Sequence, residues 1–335
     1  MGSMNLQISK SKSYLGCIFI ILAAILSSLL HVVSKPMLGL EGMMEINPIL
    51  LTFLIYMICT AFFTPIARKT DPIRKFSQRD LMFMFLIGAS EVAALATYFF
   101  GLQTASAVNA SIFSNSEIIF SLVIAMTVFK ERLNIKECIP FSMIIVGMMI
   151  IPIGNDLYQN GMSIEHIASG DILIILAGFF YAVDITLCKY IGDRYNPRRV
   201  TQITSFFCAI VALALLVLLG IPIQFDLNYV PNLVVLSVFG TGMSTLLFLA
   251  GLKLIGAVRT ILLYSTTSIF GILFAGIFLA EEITSLDIIC LVITLTGIFF
   301  LRNKLAESES EPENSKEHIC SIDEKQGVKV TTMKF

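Results

Sequence analysis

The sequence predicts an all-α integral membrane protein of ten transmembrane helices, arranged as two inverted repeats of five helices each. The first observation is composition, because the 335 residues are 56% hydrophobic and 14% charged, with a mean hydropathy of +0.85. Soluble domains are about 25% charged, so this chain carries far fewer charges than a soluble protein of its length. The second observation is an internal repeat, in which residues 101–131 return in altered form at 251–281.

The two copies of this repeat align without a gap, and they read GLQTASAVNASIFSNSEIIFSLVIAMTVFKE and GLKLIGAVRTILLYSTTSIFGILFAGIFLAE. Each copy is a helix ending, a tight polar turn and an apolar stretch of about twenty residues, the length that spans a bilayer. A glutamate closes each stretch, Glu131 in the first copy and Glu281 in the second. Residues 23–35 and 177–189 also correspond, so the duplication covers whole halves of the chain.

Apolar runs follow one another along the chain, and runs of this length predict transmembrane helices. The predicted spans of the first half cover residues 14–33, 48–67, 81–102, 108–129 and 138–153. Those of the second half cover residues 172–191, 200–223, 233–252, 260–279 and 288–301. The corresponding domains are a cytoplasmic N-terminus at 1–13, the repeats at 14–155 and 170–303, and a polar, disordered cytoplasmic tail at 304–335.

Lysines and arginines are concentrated in every second loop, a bias that marks the cytoplasmic side of a membrane protein. The alternate loops carry acids or no charge, so both termini are predicted to be cytoplasmic. Since each half has an odd number of spans, the second copy enters the membrane from the opposite side, as in many alternating-access transporters. The sequence shows no targeting signal, and the cell membrane is the expected location.

The chain resembles the drug/metabolite transporter superfamily, and more narrowly the EamA-domain proteins. The likeness covers residues 14–302 and rests on the ten spans, the two five-helix halves and the Glu-Arg-Leu and Glu-Glu-Ile motifs at 131–133 and 281–283. Members often carry a proline in spans four and nine, where this chain has Ile118 and Ser268. Members that move phosphorylated sugars carry a basic pair in span nine, and this chain has no cation there. The resemblance therefore implies transport of a different substrate class.

Three acidic residues lie at membrane depth, where a charged side chain is costly and usually faces a cavity or a partner. Glu91, Glu117 and Asp184 lie within spans three, four and six. Helical spacing places Glu91 on one face with Tyr98, and Asp184 on one face with Tyr181.

Span four also carries a polar stripe, because one helical face holds Ser111, Ser114, Glu117 and Ser121. The matching positions of span nine include Tyr264 and Thr267, so a partly polar face recurs there without the acid. The predicted substrate or proton site comprises Glu117, Glu91, Asp184, Ser114, Tyr98, Tyr181, Tyr264 and Thr267.

Structural roles are the alternative for the same residues. Serines on membrane helices also serve close helix packing, and Asp184 also fits an ion pair with Lys189. His31 and Lys35 are expected at the outer interface, where a lysine side chain reaches water. The two glutamates that close the repeat are expected in structural roles at helix ends.

The predicted function is secondary transport by alternating access, with export as the expected direction. Glu117 or Glu91 would accept a proton or hold the ammonium of a small polar or amphiphilic metabolite, amino-acid-like or cationic. A nucleotide-sugar or other organic-anion exchanger is the alternative within transport, and a receptor or channel is the alternative outside it. The expected partners are the substrate, protons and membrane lipid, and a homodimer is left open.

Other functional classes lack their motifs in this sequence. Neither the HExxH motif of metalloproteases nor the GxxxxGK[ST] loop of nucleotide-driven pumps occurs, so an enzyme is not predicted. The seven cysteines are scattered without a CxxC pair, so no metal or other cofactor is expected. A net charge of -1 gives no basic surface for nucleic acid.

Overall fold

The fold was analysed on a computed structural model, which describes residues 2–39, 46–68, 75–128, 169–192, 194–256 and 263–300, with a few isolated positions between these ranges. Within these ranges the chain forms helices joined by short turns, and no strand occurs. The predicted all-α class is therefore confirmed for this part of the chain.

The helices of the first half begin and end at residues that suit helix termini. The Asn47 side chain accepts the Ile49 backbone N–H, and Ser77 with Asp80 forms a capping box, so the third and fourth helices have defined starts. The helices are α1 (Gly2–Val33), α2 (Lys35–Gly39), α3 (Pro48–Ala67), α4 (Gln78–Thr104), α5 (Ala107–Phe113) and α6 (Ser116–Val128).

The second half continues with helices of similar apolar character. A 3₁₀ turn at Leu227–Tyr229 leads into a continuous helical rod whose middle part, Leu236–Met243, is π-helical. The helices are α7 (Ser169–Gly192), α8 (Pro197–Leu218), α9 (Val230–Val235), α10 (Ser244–Ile255), α11 (Thr267–Phe278) and α12 (Ser285–Phe300).

Six helical stretches in the described ranges are long and apolar enough to cross a membrane, and two shorter apolar helices, α11 and α12, accompany them. The third helix matches its predicted span, 48–67, at both ends. Most of the predicted fifth span, 138–153, and the predicted tail, 304–335, lie outside the described residues. The ten-helix count and the domain limits therefore stay predictions.

Large apolar side chains cover the outer surface of the bundle. Ile18, Phe85, Leu213, Ile277 and Val292 are all exposed, and they lie on five different helices. Soluble proteins rarely expose contiguous apolar surface on this scale. These faces are those expected to contact lipid.

Helix pairs that the sequence repeat relates to each other pack in the same way. The helix α4 lies along α7, and the corresponding α10 lies along α1. A Cβ atom on Gly101 would lie 2.6 Å from the Gly170 carbonyl oxygen, and one on the matching Gly251 would lie 3.3 Å from the Gly16 carbonyl oxygen. Small residues thus let the backbones approach closely at both related contacts.

The predicted helix over 108–129 is not continuous, which corrects the sequence analysis. The backbone turns at Ser114 and Asn115, between α5 and α6. Asn115 donates to the Ile112 carbonyl oxygen, and such local side-chain bonds compete with the helical ladder. A second turn, at Ser265 and Thr266, interrupts the predicted helix over 260–279 at the repeat-related position.

Candidate functional site

A cavity of about 70 Å³ lies where the two interrupted helices meet α1, α4 and α7. This volume holds roughly two water molecules. Helices from both halves of the chain contribute to its wall. The lining residues are Ser27, Leu30, His31, Tyr98, Ser114, Asn115, Glu117, Ile118, Tyr181, Tyr264, Ser265, Thr267 and Ser268.

The two helix interruptions position the polar part of the wall. Asn115 donates a 2.7 Å hydrogen bond to the Ser268 hydroxyl, which ties the turn of the first half to the start of α11. Both side chains are buried, at 3% and 1% exposure, so neither group has water as a substitute partner. This bond fixes how the α5–α6 turn faces the second half.

Glu117 lies in the first turn of α6, immediately after the α5–α6 turn. Its carboxyl group lines the cavity, and within the described residues no hydrogen bond or ion pair to it is found. The N-terminal end of a helix is favourable for a carboxylate because of the helix dipole. Glu117 is therefore available to a ligand or a proton that enters the cavity.

Hydroxyl groups from three helical segments surround this carboxyl group. Tyr264 donates to the Ser27 hydroxyl at 2.7 Å, and its ring stands edge-on to Phe248 with centroids 5.0 Å apart. Thr267 donates to the Tyr264 carbonyl oxygen at 2.6 Å. Ser114 donates to the Ser111 carbonyl oxygen, one turn earlier in α5. The wall near Glu117 is thus polar but carries no lysine or arginine.

His31 also lines the cavity, a role that the sequence analysis did not predict for it. It is 5% exposed, and its Nδ1 atom forms a hydrogen bond with the Tyr98 hydroxyl. The two rings are also in edge contact, with centroids 5.6 Å apart.

Six of the eight predicted site residues line the cavity. These residues are Ser114, Glu117, Tyr98, Tyr181, Tyr264 and Thr267. The structure therefore brings together groups that lie on four helices of the chain and at one helix turn.

Glu91 and Asp184 do not line the cavity; they form a separate, half-buried cluster, here called the acid pair. The Cys208 thiol lies 3.6 Å from Glu91 Oε2, and the Cys188 thiol lies 3.8 Å from Asp184 Oδ2. The Tyr56 hydroxyl also hydrogen-bonds Glu91. In the described part of the chain, no group of three histidine, cysteine or acidic side chains is placed to hold a metal ion.

Two charged residues stabilise the helix ends beyond the cavity. Lys35 Nζ donates to the Leu102 carbonyl oxygen at 2.7 Å and to that of Ala105, so it satisfies the C-terminal end of α4. Lys35 is half-buried, and its expected place at the interface stays a prediction. Glu281 accepts backbone N–H groups at the start of α5, which is a structural role, as expected for it.

Asn115 and Ser27 are further lining residues that the sequence analysis missed. Asn115 stands beside the polar stripe but off its helical face, and only the turn brings it to the cavity. A polar residue inside an apolar run was the available signal, although that signal also fits simple helix packing.

Comparisons with known proteins agree with this architecture. The model of the EamA-like transporter family matches residues 14–152 and again residues 168–303. An uncharacterized transporter of Methanothermobacter thermautotrophicus is 28% identical over 237 residues, which are 70% of this chain and 68% of that protein. An uncharacterized transporter of Clostridium kluyveri is 23% identical over 307 residues, or 90% of this chain and 97% of that protein.

A solved structure titled only as the crystal structure of a protein shares the fold. Its TM-score is 0.58 at 17% identity, and the match covers 90% of this chain and 99% of that one. At this level of identity the likeness speaks for the fold alone.

Proposed function

This chain belongs to the EamA-like transporter family and is a membrane transporter, and we propose that it works as a secondary transporter by alternating access. Its proposed substrate is a small polar or amphiphilic metabolite, amino-acid-like or cationic. The proposed direction is export across the cell membrane, with both termini in the cytoplasm.

The observation that carries the proposal is the Glu117 carboxyl group in the wall of the cavity. It has no protein partner among the described residues, although a charged group at membrane depth is costly to leave unpaired. An ammonium group of a substrate, or a proton, would supply the missing partner. We therefore assign Glu117 as the residue that binds the cationic end of the substrate.

The remaining wall fits an organic cation with an apolar or hydroxylated body. Tyr98, Tyr181 and Tyr264 offer aromatic faces and hydroxyl groups, and aromatic faces attract ammonium groups. Ser114 and Thr267 add further polar oxygens. A nucleotide-sugar or organic-anion exchanger would need basic groups, and the lining residues include no lysine or arginine.

Alternating access is supported by the size and composition of the cavity. A volume of about 70 Å³ is well below the roughly 300–1,000 Å³ of typical ligand pockets, which favours a separation of the helices before a substrate enters. Interrupted helices at repeat-related positions are the common architecture of substrate sites in such transporters. The proposed motion is a rocking of one half against the other around this site.

The first experiment is a thermal-shift screen of the purified protein against lysine, putrescine, adenosine and choline at two pH values. Compounds that carry an ammonium or quaternary amine group should stabilise the protein, and Glu117→Gln should remove that stabilisation. Glu282→Gln is the matched control, because Glu282 is an exposed acid outside the cavity. Stabilisation that persists in Glu117→Gln would contradict the assignment.

A further inference from the structure

The acid pair, Glu91 on α4 and Asp184 on α7, lies in the most extensive helix contact of the fold. Its neighbours come from five helices, α3, α4, α6, α7 and α8. From α3 it is faced by Tyr56 and Cys59, from α8 by Cys208, and from α7 by Tyr181 and Cys188. Glu117 on α6 also interacts electrostatically with Asp184. The groups other than the three acids are thiols and phenols, together with the Ser90 hydroxyl, which lies beside Glu91 on α4 and faces Asp184.

These neighbours leave the acid pair poorly satisfied. Thiols are weak hydrogen-bond donors, and they are the contacts of Glu91 Oε2 and Asp184 Oδ2. The Asp184 Oδ1 atom is buried and has no hydrogen-bond partner. No lysine, arginine or histidine contact to either acid is present among the described side chains, which do not include that of Lys189.

Two carboxylates cannot both stay ionised in such surroundings without a counterion. Burial of an unpaired charge is expensive, and two negative charges at short range in a medium of low dielectric constant repel each other. A bound cation or a proton removes the cost. Hard cations such as Ca²⁺ and Mg²⁺ take about six or more oxygen ligands, whereas two carboxylates in contact with thiols, a phenol and one serine hydroxyl suit a proton better.

We propose that Glu91 and Asp184 together hold one exchangeable proton, at a site distinct from the substrate cavity. On release, the O–H bond of the protonated acid breaks, the bonding electrons stay on the carboxylate and the proton passes to water. Uptake reverses this step, so no further reactant is required.

The same two helices link this proton site to the cavity. Tyr181 lies one turn before Asp184 on α7, lines the cavity and interacts electrostatically with both Glu91 and Glu117. Tyr98, two turns after Glu91 on α4, is also a lining residue. A change in the charge of the acid pair therefore acts on residues that contact the substrate, and this coupling rests on the proposed function.

The test is infrared difference spectroscopy of the reconstituted protein between acidic and alkaline buffer, with no substrate present. The wild type should show the carbonyl stretch of a buried, protonated carboxylic acid that titrates with pH. Glu91→Gln and Asp184→Asn should each remove part of this signal. Each should also shift the titration midpoint of the remaining acid by about 1 pH unit or more. This shift is expected because two acids that share a proton titrate as a pair, and removal of one changes the affinity of the other for the proton. Glu282→Gln should leave the signal and its midpoint unchanged.

Three results would overturn the proposal. Two signals that disappear one at a time, with unshifted midpoints, would mean that the acids titrate independently. A signal that neither variant alters would place the proton elsewhere. Removal of the signal by sodium at constant pH would identify a sodium site instead.

Two further measurements keep the test decisive. If either variant fails to fold, Tyr56→Phe removes the hydroxyl that bonds Glu91 and should shift the same signal. The thermal-shift panel, repeated on Asp184→Asn, should keep ligand stabilisation but lose its pH dependence. If no compound of the panel binds, the proposed substrate class fails, whereas the infrared result still decides the proton site.

Discussion

Glu281 accepts the backbone N–H of Ala107 at 2.9 Å through Oε1, and it accepts the next N–H at 2.9 Å through Oε2. One carboxylate thus satisfies two free donors at the start of α5. Ala107 belongs to the first copy of the repeat and Glu281 closes the second, so the bond joins the two halves of the chain. The repeat-related Glu131 lies outside the described residues.

We expect Glu281→Gln to destabilise the protein by roughly 1–2 kcal/mol, since the amide can accept only one of the two N–H groups and carries no charge. Denaturant titration of the purified protein in detergent measures the change. Glu282→Gln, at the neighbouring exposed position, is the control and should have no measurable effect. Equal stability of Glu281→Gln and the control would show that the cap contributes nothing.

Lys35→Met should also destabilise the fold, because it leaves the Leu102 and Ala105 carbonyl oxygens at the end of α4 without their charged donor. Hydrogen bonds to charged groups contribute about 1.5–3 kcal/mol, and methionine preserves most of the side-chain volume. Lys35→Arg should retain part of the stability, because it still donates at this position. The free energy of unfolding measures both changes, and identical values for the two variants would contradict the capping role.

The bond between Asn115 and Ser268 should couple the two helix interruptions energetically. Asn115→Ala and Ser268→Ala are each expected to cost about 1–3 kcal/mol, because each leaves a buried polar group without its partner. The double variant should cost less than the sum by roughly 0.5–3 kcal/mol, the range for residues in contact. Additive costs in this double-mutant cycle would mean that the 2.7 Å contact is not a stabilising bond.

The sequence predicts the helices and much of the cavity wall because both depend on local pattern. The limits of α3 follow from Asn47, Pro48 and the apolar run behind them. Glu117 and Tyr181 were found because polar groups at membrane depth are rare and costly. Helical spacing then placed each of them on a face with its neighbours.

The helix interruptions and the surroundings of the membrane acids could not be predicted, because they depend on contacts between distant segments of the chain. The interruption at Asn115 involves a bond to Ser268, 153 positions along the chain, so no local pattern reports it. Glu91 and Glu117 are both acids at membrane depth, yet only packing decides that the first meets Cys208 and the second meets the cavity. The contact of His31 with Tyr98, 67 positions further along the chain, was missed for the same reason.

The most direct test of Glu117 as the substrate-binding acid is transport in proteoliposomes. The assay uses the ammonium compound that best stabilises the protein, measured from both sides of the membrane and at two pH values. We expect Glu117→Gln to reduce the rate at least about tenfold at both pH values, which corresponds to 1.4 kcal/mol of lost interaction. An unchanged rate with an unchanged pH dependence in Glu117→Gln would contradict the assignment.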